Sequence, residues 1–278
     1  MRIIRVFPRK TKATPDDDLA RINCCPGFFD EADEVHVSVT FREDLNRAEY
    51  LAGQWSVVAP VKIGGPALDD PAGEFIPGRY IKPGYVITHR GCPNSCWFCD
   101  AWKREGNKVR EYQIREGHNL LDNNILACSV EHQERVFAML GRQKQRPMFT
   151  GGLEAARFTE HHAEVLQGLK PQTYAFAYDE PSDWEPLVNA ARICREAGLI
   201  GPGRGHTCRA YVLVGYPKDT MEKAEERLMD VCRLHIMPEA MLYDKEKHRT
   251  ARDGWVHFQK VWNRPMIVGQ KMKEVLAA

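Results

Sequence analysis

No stretch of this 278-residue chain approaches the roughly 18 continuous apolar residues of a membrane span. The opening MRIIRVFPRK has no apolar core long enough for a signal peptide. These absences make a cytoplasmic protein without membrane partners the expectation. Charge of one sign is also missing: 39 Lys and Arg stand against 38 Asp and Glu, for a net charge of +1. Nucleic acid is therefore not indicated, because such binders carry a basic stripe or patch. The run Lys245-Glu246-Lys247-His248-Arg249 is mixed in sign and reads as solvated surface. There is no internal repeat and no low-complexity tract, which leaves solenoids and disordered tails aside. Apolar residues make up 43% and charged residues 28%, a balance that allows a sizeable core.

Cysteine is plentiful. There are nine, an odd count in a chain without a secretory signal, so a disulfide framework is not expected. Cys194, Cys208 and Cys232 fall on apolar helix or strand faces and read as core residues. Cys128 is ambiguous. Cys24 and Cys25 are adjacent in a loop and lack the partner cysteines a cluster would use.

The hydrophobic pattern divides the chain in three. Residues 1–84 carry the apolar stretches 3–7, 35–41 and 56–65. A helix over 44–53 lies between the last two, with Asp44 as its cap. A small N-terminal α/β domain follows from this, ending in a Gly/Pro-dense linker. Residues 85–245 alternate strand and helix. Strands are expected at 85–90, near 120–124, and at 147–152, 173–180, 208–216 and 239–243. Helices are expected within 130–141, over 159–170, from Ser182 to Gly198 with a Ser182/Glu185 capping box, and after Asp219 and Glu222. Six strand–helix units imply parallel strands. They are too few for a closed eight-stranded barrel, so the fold class expected is α/β, a partial (β/α)6 barrel. Residues 246–278 form a C-terminal helical extension with Trp255, Phe258, Val261 and Trp262 as its packing stripe.

Residues 89–103 read HRGCPNSCWFCDAWK. Cys92, Cys96 and Cys99 place three thiols within eight residues of one loop leaving a strand, and such thiols suit a soft metal centre. A zinc site prefers four protein ligands, and under that alternative His89 supplies the fourth. Three cysteines leave one iron of a [4Fe-4S] cluster open to an external ligand.

With its C-x3-C-x-aromatic-C spacing and Phe98 at the aromatic position, this loop resembles that of the radical S-adenosylmethionine (SAM) superfamily. The resemblance implies a [4Fe-4S] cluster on Cys92, Cys96 and Cys99 and SAM bound through its amino and carboxylate groups. It also implies reductive cleavage of SAM to methionine and a 5′-deoxyadenosyl radical, with electrons from an external flavodoxin- or ferredoxin-type donor. The cofactor carries the chemistry and the protein orients it. The substrate and its catalytic residues stay unknown.

In parallel β/α folds ligands gather at the carboxyl ends of strands. There the resemblance assigns SAM contacts to Asp122, Asn123 and Asn124, although the family's usual Gly-Gly-Glu is absent. Gly151, Gly152 and Glu154 follow, then Tyr178 and Asp179, and then Val212, Val214 and Gly215, whose segment is similar to the family's G-x-I-x-G-x-x-E stretch. Asp179, Glu180 and Asp219 could equally cap helices. The stretch 35–66 resembles the cobalamin-binding-type Rossmann-like domain that precedes some radical SAM domains. Its D-x-H-x-x-G motif is missing, so a structural remnant without cobalamin is expected.

Overall fold

The computed structural model describes residues 1–69, 73–202 and 207–277. Residues 70–72 of the expected linker and residue 278 of the C-terminal extension lie outside the described residues. The chain is mixed α/β with parallel strands, in two compact units, Met1–Gly117 and His118–Ala278. Among the described residues no helix is long and apolar enough to cross a membrane.

In the first unit β1 (Ile3–Phe7), β2 (Ala20–Ile22), β3 (Glu34–Ser38) and β4 (Val61–Gly64) form a parallel sheet in the order β2-β1-β3-β4. Helix α1 (Leu45–Trp55) covers one face. Ile4, Val6, Val35 and Val37 alternate onto that face and pack with Ala48, Leu51 and Trp55. A fully buried side chain of this size contributes roughly 2–3 kcal/mol. Two details differ from the pattern. The strand β2 was not expected, because three residues are too few to show a period. Asp44 does not cap α1; its carboxylate takes the Arg9 guanidinium at 2.7 Å.

The stretch 85–90 is not one strand. It divides into β5 (Tyr85–Val86) and β6 (His89–Arg90). β6 runs through a loop into α2 (Asp100–Glu105) and pairs antiparallel with β7 (Arg110–Glu111).

In the second unit β8 (Asn119–Leu120), β9 (Met148–Phe149), β10 (Thr173–Ala177), β11 (Cys208–Val214) and β12 (Met237–Leu242) lie parallel, each beside the next. Between them run α3 (Val130–Gly141), α4 (Glu160–Leu169), α5 (Trp184–Glu196) and α6 (Met221–Arg233). Ser129 and Thr220 cap α3 and α6 by accepting from His132 N–H and Lys223 N–H. The box before α5 is Glu180/Asp183 rather than Ser182/Glu185, because a 3-10 turn at Pro181–Asp183 moves the helix start on. After β12 come α7 (Lys245–Ala251), α8 (Trp255–Trp262) and α9 (Pro265–Ala277). Trp255, Phe258 and Trp262 form a ladder with centroids 5.4 and 6.4 Å apart.

Candidate functional site

The cysteine loop is built by local hydrogen bonding. Gly91 begins it at φ 91°, and a Cβ there would lie 2.0 Å from the Lys108 carbonyl oxygen. Only glycine allows the outgoing and returning chains to touch at this point. Cys92 N–H donates to the Gly106 carbonyl at 3.2 Å, which fastens the first cysteine to the end of α2. Cys99 N–H donates to the Cys96 carbonyl at 3.1 Å, turning the chain into the helix. That same Cys96 carbonyl accepts the Trp102 indole N–H at 2.7 Å, and Lys103 Nζ donates to the Trp97 carbonyl at 3.2 Å. Phe98, half-buried, sets its ring edge-on to Trp97 with centroids 5.4 Å apart.

Glu105, only 2% exposed, closes the loop from beneath. Its carboxylate takes Arg104 Nε at 3.0 Å and Arg110 at 3.4 Å, while its carbonyl takes Arg110 Nη1. A buried carboxylate needs such partners. Sequence reasoning missed Glu105, Arg104, Arg110 and Trp102; the signal was Lys103-Arg104-Glu105, two cations and a glutamate one helical turn past the third cysteine.

Cys92, Cys96 and Cys99 lie outside any disulfide, each half-buried. Among the described residues no three His, Cys, Asp or Glu side chains are gathered as ligands of one metal ion. His89, the fourth ligand under the zinc alternative, is buried in β6. Each thiolate of an iron–sulfur cluster holds a different iron, so its sulfurs stand farther apart than the ligands of one ion. By donor chemistry the set fits such a cluster: three soft thiols outside any disulfide, on one reachable loop.

The strand-end residues of the second unit fall into three groups. Asp122 and Asn124 are buried and Asn123 half-buried after β8. Asn124 Nδ2 donates to Glu154 Oε2 at 2.6 Å, and Arg157 Nε reaches the same oxygen at 2.8 Å. Gly151 lies against the preceding strand end; a Cβ there would stand 1.9 Å from the Asp122 carbonyl oxygen. Gly152 follows at φ 82°. The structure thus brings Asp122, Asn124, Gly151 and Glu154 together.

Tyr178 is buried beside Trp184, with centroids 5.2 Å apart. Asp179 Oδ1 accepts Leu213 N–H at 3.0 Å, which ties the end of β10 to β11. Burial, with the carboxylates of Asp183 and Glu180 adding, pushes Asp179 up to about 7. A carboxyl titrating there is suited to holding or passing a proton.

Val212 and Val214 are fully buried, on the face of β11 shared with Cys208 and Ala210. The other face presents Arg209 and Tyr211. Arg209 pairs with Glu239 of β12 at 2.9 Å, and Tyr211 lies 3.9 Å from where a Gly152 Cβ would be. Sequence reasoning took the apolar set of β11 and missed this polar one, though its period of two was legible. A Cβ on Gly215 would crowd Leu242, His248 and Trp255, and its carbonyl takes His248 Nε2–H at 2.7 Å, so the last helices already fill the space there. Asp219 neither caps α6 nor faces solvent. It accepts Gly215 N–H at 2.8 Å and holds Arg227 at 2.9 Å, fixing the β11–α6 turn. Cys128, Cys194, Cys208 and Cys232 are buried; Cys24 and Cys25 are exposed.

No protein-family model matches this chain, and no curated protein matches it significantly.

Proposed function

We propose that this chain is a radical SAM enzyme, with a [4Fe-4S] cluster held by Cys92, Cys96 and Cys99. The observation that carries the reading is the C-x3-C-x2-C loop itself, with Phe98 before the last thiol, leaving a short strand and followed at once by a helix. A parallel β/α second unit is in keeping with it. The finer architecture belongs to the same proposal: a partial (β/α)6 barrel over 85–245. The chemistry such a cluster supplies when bound is one-electron reductive cleavage of the SAM sulfonium, yielding methionine and a hydrogen-abstracting 5′-deoxyadenosyl radical.

This chain's residues have supporting tasks. Trp102, Lys103 and the buried Glu105 hold the loop in shape, so that three thiolates can be presented together. Phe98 and Trp97 place aromatic surface between the second and third thiols. On this reading Asn124 and Glu154, already bonded to one another, are polar groups of the second unit suited to a small-molecule ligand. Asp179 is a hydroxyl or proton partner at the next strand end.

Anaerobic reconstitution with iron and sulfide tests the reading. The expected protein is brown, with iron and labile sulfide in equal amounts, and Cys96→Ala is colourless. Colourless parent protein, or a preparation carrying zinc on these cysteines, would overturn the proposal in favour of a binding protein.

A further inference from the structure

The sheet face of the first unit opposite α1 carries a row of ionisable side chains. Arg5, His36 and Lys62 are Cα partners across β1, β3 and β4, and Glu34 stands two residues before His36 on the same side of its strand. Glu34 Oε2 lies 2.9 Å from His36 Nε2, and its Oε1 accepts Lys62 Nζ at 2.8 Å. Lys62 first and His36 second hold the Glu34 carboxyl below the usual carboxylate range, so it is ionised at neutral pH. A carboxylate only accepts, so Nε2 carries the ring hydrogen and donates. Nδ1 of the neutral ring is then the acceptor, and it stands 2.5 Å from the Tyr80 hydroxyl. The two rings lie within 24° of parallel with centroids 6.0 Å apart, so the phenol meets the imidazole near its plane.

This is a phenol, a base and a group that orients the base, in hydrogen-bond sequence. The same arrangement activates hydroxyl and thiol nucleophiles. Tyr80 is not needed to fasten its own segment. Arg5, buried, already does so through Arg5 Nη1, which donates to the Gly78 and Arg79 carbonyls at 2.8 Å each. Tyr80 is 40% exposed, so its side chain is open to solvent. The Arg79 guanidinium lies 5.9 Å from the Tyr80 ring centroid and adds positive charge beside it.

We propose that Tyr80 is a nucleophilic phenol, with His36 as its base and Glu34 as the positioning residue behind it, and that it accepts the acyl group of an activated ester. Tyr80 Oη forms a bond to the carbonyl carbon as the bond from that carbon to the leaving oxygen breaks. The phenolic proton passes to His36 Nδ1 and from there to the departing alkoxide or aryloxide. No electron leaves or enters. The site lies wholly within the first unit and owes nothing to the radical SAM reading.

The test is acetylation of the full chain by p-nitrophenyl acetate, followed per tyrosine by peptide mass spectrometry. Tyr50 is the internal control: it is 50% exposed, and its ring carries the Arg47 guanidinium at 4.7 Å. Tyr80 is expected to react about a hundredfold faster than Tyr50 or more, the range that a positioned general base supplies. His36→Gln and Glu34→Gln should each bring Tyr80 down to the Tyr50 rate while leaving Tyr50 unchanged. The Tyr50 rate reports that each variant is folded, and Glu34→Gln, a surface change of equal size, keeps the test available should His36→Gln unfold. Tyr80 reacting no faster than Tyr50, or as fast in Glu34→Gln as in the parent, would overturn the proposal.

Discussion

Single atoms decide much of this molecule. A methyl group on Gly91 would drive into the Lys108 carbonyl at 2.0 Å, and one on Gly151 into the Asp122 carbonyl at 1.9 Å. Both neighbours are backbone, which cannot rotate away. Gly91→Ala should therefore cost about 3 kcal/mol or more and loosen the cysteine loop. Denaturant titration of the variant checks this; a loss below about 1 kcal/mol would show that the loop yields. Asp179 gives a second test at the same scale. Burial raises it to about 7 in the folded chain, against an ordinary value of 3.8. The folded state thus binds this proton more tightly than the unfolded one. Its stabilising contribution is full below the ordinary value and is lost as pH rises toward 7. Asp179→Asn should remove that loss, so the variant gains on the parent across this window. Melting curves that stay parallel over the window would contradict the assignment.

At the scale of elements, two devices hold segments by partnered polar groups. Glu105 joins the end of α2 to β7 through Arg104 and Arg110. Removing the buried carboxylate leaves Arg104 and the exposed Arg110 open to solvent, so Glu105→Ala should cost roughly 1 kcal/mol. It should also weaken retention of iron on the loop, measured as the rate of iron loss to a chelator. The start of α4 relies on His162. Thr159 N–H donates to Nδ1 at 3.0 Å, and Nε2–H donates to Gln133 of α3 at 3.0 Å. Burial first, then the neighbouring His161, lowers His162 below its ordinary 6.5. Nδ1 accepts only when the ring is neutral, so this cap is complete at the ordinary value and above, and is lost as pH falls through the lowered value of the folded state. Hydrogen exchange at Thr159 should quicken on acidification in the parent and be insensitive to pH in His162→Gln, after correction for intrinsic rates.

Elements with a strong period were legible in the sequence. The helices α3 and α4 fall where apolar spacing and end signals put them, with Gly141 ending the first and Thr159 opening the second. Short strands were less so: two residues at Asn119–Leu120 or Met148–Phe149 carry no period, and the expected stretches ran past them. Caps were misread where a carboxylate had a better partner. Asp44 turns to Arg9, and Asp219 turns to Gly215 and Arg227. The site was legible as a spacing of cysteines. Its support was not, because Glu105 meets Arg110 only once the chain has folded back, and Tyr80 meets His36 across forty-four residues of sequence.

For the whole molecule, the described residues form two compact α/β units, the first holding the cysteine loop and the second the parallel strands β8–β12. On the proposed reading, ligand contacts fall to the polar residues at the ends of those strands. The most direct test of the central claim is product analysis after anaerobic reduction of the reconstituted chain with dithionite in the presence of SAM. The account predicts 5′-deoxyadenosine and methionine in equal amounts from the parent, and neither from Cys92→Ala, Cys96→Ala or Cys99→Ala. A parent chain that holds its iron and leaves SAM intact, or a cysteine variant that still cleaves it, would contradict the account.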